Sequence, residues 1–445
     1  MPVSPARSAA FEILLKVERE QSYASELLHS ARFRKLSASD HGLATELALG
    51  VLRWRSVLDR KLAGASSQKL ERLDVEVLTA LRLGIYQLQF LSRVPARAAI
   101  FESVEMAKAA RKRSAAAFVN AVLRRVSRGK AYDAFEELQH SEDAVSLAAS
   151  SAHPAWLVER WVERYGLAAA RQICLHNQTV PVTAIRADDD RAAGSLTEEG
   201  VLLSPGLLLA TARRVESGDV TKTRAYREGR VSIQDEASQL VALLVGQGER
   251  ILDCCAAPGS KTSLLAKRNP EAQVFAVELH PHRARLLRWL ALRPNIQVLA
   301  ADARTLPFTC KFDRILADVP CSGTGTLARG PEIKWRLTPN DLGDLQSRQV
   351  AILRSALDQL ATGGRLVYST CSLEREENEA VVEAALSGPS GCGLVDCRKE
   401  LERLRDSGEL LWKNLESLLN GPYLQIVPGV HPCDGFFAAI VERRA

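Results

Sequence analysis

The sequence predicts a multidomain protein: an all-α bundle, then a small α+β segment, then an α/β domain. Three observations carry that expectation. Apolar residues recur at helical spacing through the first third of the chain, and after Ile233 short apolar runs begin to alternate with helical stretches. The length of 445 residues suits two or three domains. We therefore expect domains at 1–142, 143–232 and 233–445. A hydrophobic content of 46% with 25% charged residues is that of an ordinary globular protein with a real core.

From Ala6 to Arg128 the apolar positions step by three and four, as in Phe11, Leu14 and Leu15 or Leu47, Val51 and Leu58, the stripe of an amphipathic helix. Later helical runs cover Val75–Phe90 and Ala98–Ala110, with a break at Val94-Pro95. The middle segment reads as a helix over Trp156–Tyr165 and strand-like pieces at Val182–Arg186 and Val231–Ile233. Asp188-Asp189-Asp190 lacks the spacing of a cation site and reads as a solvated turn. Beyond it, Arg250–Cys254, Val274–Glu278, Ile296–Ala300, Phe312–Ala317 and Arg365–Tyr368 are the expected strands. Helices are expected between them at Lys261–Lys267, Arg283–Ala291 and Leu345–Leu360, the alternation of a doubly wound parallel sheet.

Charge is unevenly shared. Residues 1–130 hold 23 Lys+Arg against 12 Asp+Glu, within a chain of net charge +6. A basic helical module on a mildly acidic body suits a grip on a polyanion. No apolar run approaches the length of a bilayer-spanning helix, and the first residues lack the apolar core of a signal peptide, so a cytoplasmic location without membrane contact is expected. The nine cysteines form no Cys-x-x-Cys and the histidines no ligand spacing, so no metal site is expected and the thiols should be free.

The first α/β strand runs into Cys255-Ala256-Ala257-Pro258-Gly259-Ser260-Lys261 and then a helix. Small residues let a ligand approach the backbone, and the helix start offers free N–H donors. Neither a phosphate loop nor Gly-x-Gly-x-x-Gly is present. Glu278 ends the next strand, 25 residues after Asp253, about the offset of an acid that takes a ribose diol. Asp302 follows the third strand, where a carboxylate suits an adenine amino group. Acids at successive strand ends read as a site for a ribose-adenine cofactor without a pyrophosphate, for which S-adenosyl-L-methionine is the natural candidate.

Two cysteines stand just past strand ends: Cys321 in Asp318-Val319-Pro320-Cys321 and Cys371 in Ser369-Thr370-Cys371-Ser372. Residues past the carboxyl ends of parallel strands line the ligand crevice. Two thiols there, with the carboxylate of Asp318, suit covalent chemistry on an electrophilic carbon. Spacing alone leaves open which cysteine attacks, whether Trp335 lines a pocket or a core, and whether Lys261 meets cofactor, RNA or solvent.

Leu252–Thr262, Asp318–Gly325 and Tyr368–Ser372 resemble the signature motifs of RNA cytosine-5 methyltransferases. Asp40–Leu47 with Gly50–Arg53 resembles the helical RNA-binding domain of the antitermination factor NusB. That combination, with His153–Trp156, Ile233–Ser238 and Asp434–Phe437, is similar to the RsmB family of bacterial 16S ribosomal RNA methyltransferases. The sequence departs from the usual pattern at Ser260, Glu278 and Gly330, where glycine, aspartate and histidine are common.

The resemblance implies a NusB-like bundle followed by a Rossmann-like class I methyltransferase domain. It implies methyl transfer from S-adenosyl-L-methionine to carbon 5 of a cytosine in 16S ribosomal RNA, by a protein expected to be monomeric. It assigns attack on carbon 6 to Cys371, product release to Cys321, and cytosine recognition, with a cofactor contact, to Asp318. Another ribosomal RNA site, a transfer RNA target or a non-catalytic RNA-binding role remain the alternatives.

Overall fold

The computed structural model describes residues 3–290, 293–387 and 391–444. Helices Pro5–Glu20, Ala38–Arg53, Arg55–Ala65, Val75–Phe90, Ala96–Ala109 and Ala116–Val126 follow the helical periodicity of the sequence. They bury Ile13, Leu14, Leu47, Val51, Leu58, Leu81 and Leu123 in one core. The boundaries have local causes. Ser37 accepts the Asp40 N–H at 3.1 Å to cap one helix, and Pro95 stands at the N-cap of Ala96–Ala109, where a missing N–H costs nothing. A Cβ at Gly50 would lie 2.1 Å from the Tyr86 ring, so only glycine admits that helix contact.

The chain divides into two units, not three. Met1–Val180 joins Leu327–Arg336, and Pro181–Thr326 joins Leu337–Ala445. Ala144–Ser151 and Ala155–Gln178 fall in the first of these units, beyond the expected boundary at 142. The helix expected over Trp156–Tyr165 does end there: Gly166, at φ 79° and ψ 160°, is not helical and separates it from a second helical stretch that runs to Gln178, a conformation open to glycine.

In the second unit, β1 (Thr183–Ala187), β2 (Leu202–Pro205), β3 (Ala212–Ser217) and β4 (Val231–Ile233) form an antiparallel sheet in the order β2-β3-β1-β4. The larger sheet holds β5 (Arg250–Asp253), β6 (Gln273–Glu278), β7 (Ile296–Ala300), β8 (Phe312–Asp318), β9 (Leu360–Thr370), β10 (Cys392–Val395), β11 (Leu419–Asn420), β12 (Tyr423–Ile426) and β13 (Phe436–Arg443). Its order is β11-β12-β13-β9-β8-β5-β6-β7, with β10 beside β13. The five expected strands pair in parallel. The sheet as a whole is mixed, because β13 runs antiparallel to β9, β12 and β10. The helix expected at Arg283–Ala291 spans Pro281–Leu290, and Ala291 lies outside the described residues.

Candidate active site

The parallel register brings the chemistry-bearing residues to one edge. Asp318 pairs with Ser369 at the ends of β8 and β9, and Glu278 pairs with Ala300 at the ends of β6 and β7. Ligands of such sheets bind beyond the carboxyl ends of the strands. Between β5 and the helix Ser260–Arg268, Gly259 takes φ 113° at the N-cap, a backbone conformation that favours glycine.

Cys321 and Cys371 are brought together: their sulfur atoms lie 3.3 Å apart, and both thiols are free. The contact with Cys371 and then burial push the Cys321 thiol well above its usual range, so Cys321 holds its proton. Asp318 is gripped from both sides. Its Oδ1 accepts from Ser369 Oγ at 2.8 Å, and its Oδ2 faces Lys261 Nζ at 2.8 Å. Burial opposes the charge on Lys261, but Asp318, by its charge and its hydrogen bond, raises its pKa above the ordinary value. Lys261 therefore stays cationic, 5.1 Å from the centroid of the Phe436 ring.

The cofactor candidates occupy the same edge. Glu278 is buried and accepts the His280 N–H at 2.9 Å, with Arg283 at 3.7 Å. Asp302 is bound by the guanidinium of Arg304, whose hydrogen bond holds the carboxyl below the usual range. Cys255, Ala256, Ala257, Pro258, Gly259, Ser260 and Lys261 form the turn from β5 into the following helix. Beneath it, burial pushes Asp253 up to about 7 even though Thr262 donates to it at 2.7 Å. The donor set fits S-adenosyl-L-methionine: a tight small-residue turn, a helix start, and an acid at each of two strand ends.

Sequence reasoning missed the group that joins the two cysteine loops. Glu377 is fully buried and accepts from Ser322 N at 2.8 Å, from the Ser322 hydroxyl, from Ser372 Oγ and from Gln349 Nε2 at 2.9 Å. Ser322 and Ser372 each directly follow a site cysteine. Gln349 also donates to the Pro320 carbonyl at 2.9 Å. Backbone contacts complete the knot, with Gly325 N–H on Cys371 O at 2.9 Å and Gly435 N–H on Gly325 O at 2.8 Å.

Trp335 lies in the helical unit, where its indole N–H donates to Leu52 O at 2.6 Å; of the two readings open in the sequence, core packing holds. Among the described residues no cluster of His, Cys, Asp and Glu is arranged to hold a metal ion, and no helix is long and apolar enough to cross a membrane.

The helical unit and the mixed α/β sheet with this crevice each match a known family. Residues 240–442 match the family described as 16S rRNA methyltransferase RsmB/F, and residues 4–128 match the NusB family. A Bacillus subtilis (strain 168) protein named "Probable ribosomal RNA small subunit methyltransferase B" is 34% identical, over 100% of both chains. The ribosomal RNA small subunit methyltransferase B of Vibrio cholerae serotype O1 is 31% identical, over 98% of this chain and 97% of its own. A solved methyltransferase homolog protein from Pyrococcus horikoshii shares the fold, with a TM-score of 0.55 and 24% identity over 68% of this chain and 100% of that one. The chain belongs to the RsmB/F family of ribosomal RNA methyltransferases.

Proposed function

We propose that the protein methylates carbon 5 of one cytosine in 16S ribosomal RNA, using S-adenosyl-L-methionine and a covalent cysteine–cytosine intermediate. The observation that carries this reading is the pair of sulfur atoms at 3.3 Å, beside a carboxylate held by Lys261 and Ser369. The names of the relatives above support the substrate.

Carbon 5 of cytosine is too weak a nucleophile to be methylated directly. The Cys371 thiolate forms a bond to carbon 6, and the ring electrons make carbon 5 enamine-like. The Lys261 cation stabilises that thiolate before attack. Asp318 accepts a hydrogen bond from the amino edge of the flipped base and fixes the ring over the sulfur. When bound, S-adenosyl-L-methionine supplies the methyl group from a sulfonium centre. Cys255–Lys261, Glu278, Asp302 and Asp318 are the residues that would hold it.

Once Cys371 is spent in the bond to carbon 6, its hydrogen bond no longer raises the Cys321 pKa. Cys321 then gives up its proton to solvent water and, as a thiolate, takes the proton of carbon 5. The sulfur–carbon 6 bond breaks, the double bond re-forms, and its electron pair returns to Cys371. One group blocked until the other has reacted is the behaviour of a coupled pair.

The test is methylation of 16S ribosomal RNA with labelled donor and base-resolution mapping, in the parent and in Cys321→Ala and Cys371→Ala. One labelled cytosine is expected for the parent. Cys321→Ala should accumulate a denaturant-stable protein–RNA adduct, and Cys371→Ala should form none. The opposite pattern exchanges the two roles, and labelling of transfer RNA alone overturns the substrate.

A further inference from the structure

The helix Pro281–Leu290 carries large apolar groups on its solvent face as well as on its buried one. Ala284 and Leu287 face inward, Leu287 packing with Ala256 and Ala276. The opposite stripe, His282, Arg285, Leu286 and Trp289, points to solvent, with Leu286 47% and Trp289 72% exposed. An indole left this open on the outer face has no role in the core, and large apolar groups exposed together mark a contact surface.

The charge around it names the partner. From Leu279 to Ala301 the sequence contains no Asp or Glu but holds Arg283, Arg285, Arg288 and Arg293 with His280 and His282. Arg293 is engaged by Asp188 at 2.6 Å. Arg283 reaches back to the cofactor turn, donating to Ala257 O at 3.3 Å, so the helix borders the crevice. Arg285 is exposed and makes no ion pair among the described residues. An aromatic ring among guanidinium groups is the arrangement that stacks a base and neutralises its phosphates. A second copy of this chain, itself at net charge +6, would meet like charge here.

We infer that the outer face of helix Pro281–Leu290 is a stacking platform for single-stranded RNA, with Trp289 under a base and Arg285 on a phosphate. The inference rests on the reading of the chain as an RNA methyltransferase and adds a surface that its RNA crosses outside the crevice.

The experiment measures binding of a fluorescein-labelled single-stranded oligoribonucleotide to the full chain by anisotropy over a salt series. Donor binding by calorimetry is the control for fold and cofactor site. Trp289→Ala should weaken RNA binding about 5- to 100-fold, with Trp289→Phe retaining most of it. Arg285→Ala should weaken it and flatten the log–log salt slope by about 0.7. Donor binding should be unchanged in all three. Parent-like RNA affinity in both Trp289→Ala and Arg285→Ala overturns the platform while leaving the methyltransferase reading intact. So does loss of a sedimenting dimer in Trp289→Ala with RNA affinity intact, which would give the face to a second copy. A parent that neither binds nor methylates RNA takes both readings down.

Discussion

At the scale of single residues, the proposed reaction depends on two sulfur atoms whose loops are joined by a residue, Glu377, bonded to the serines that follow them. A buried carboxylate is costly unless its lone pairs are filled, and Glu377 fills its own with donors from Ser322, Ser372 and Gln349. Each such charge-assisted bond contributes about 1.5–3 kcal/mol. Their geometric effect matters more, because together they set the spacing of the residues just ahead of the two serines. Glu377→Gln keeps the shape but places a donor against donors. We expect kcat to fall about 100-fold, as for a displacement of about 1 Å at a reacting centre, with donor affinity unchanged. A variant at parental turnover would show that the sulfur atoms are set by the strands alone. The thiol of Cys321 gives an independent readout: as the loops part, its suppressed ionisation should relax, and alkylation at neutral pH should speed up.

At the scale of elements, the crevice is a meeting of loops from β8, β9 and the start of β13, and Gly325 is where they touch. A Cβ there would lie 2.5 Å from Gly435 O and 2.8 Å from Cys371 O, against backbone that has no side chain to rotate away. Gly325→Ala should therefore destabilise the fold by about 1–3 kcal/mol and abolish adduct formation. Gly343→Ala is the comparison: it lies in the helix Pro339–Gln359 with open space around it, and should stabilise by about 0.5–1 kcal/mol. Thermal melts of the two variants check both signs.

The elements also show what a sequence can carry. A parallel strand buried on both faces is a continuous apolar run, so β5, β6, β8 and the end of β9, with the polar turns that follow them, stood out, Cys321 and Cys371 among them. The antiparallel strands β10 to β12 are two to four residues long and broken by Gly and Pro, too short to register as a period. Strands β2 and β3 are half exposed, with burial patterns that do not alternate cleanly. Glu377 sat in Arg375-Glu376-Glu377-Asn378-Glu379, a run that reads as a solvated surface. Only the return of the chain from Cys371 under β9 buries it.

At the scale of the molecule, the excess of basic residues in 1–130 is partly spent within the helical unit. Arg82 binds Glu18 and Asp59, Arg7 binds Glu102, and Arg55 binds Glu18. Arg111, Arg113, Arg125 and Arg128 are among the exposed basic residues of this unit that enter no ion pair among the described residues. The same unit holds the segment Leu327–Arg336, which the chain enters directly after the Cys321 loop that ends at Thr326. Its basic side chains close helix ends: Lys334 donates to Arg53 O at 2.9 Å, and Arg336 to Val17 O at 3.0 Å and Ser22 O at 2.7 Å. Positive charge is favoured at such carbonyl ends. Burial pulls the Lys334 pKa well below its ordinary value, so this lysine depends on its surroundings for the site it occupies. Deleting residues 1–130 would strip the partners from Lys334, Trp335 and Arg336, and would confound lost RNA contacts with an exposed apolar segment. Charge reversal on the intact chain separates the two. Arg111→Glu, Arg113→Glu and Arg125→Glu combined should lower affinity for 16S ribosomal RNA at least 10-fold at moderate salt and reduce the salt slope by about 2. Donor binding and melting temperature should hold. Unchanged RNA affinity would move the phosphate grip off this edge of the helical unit.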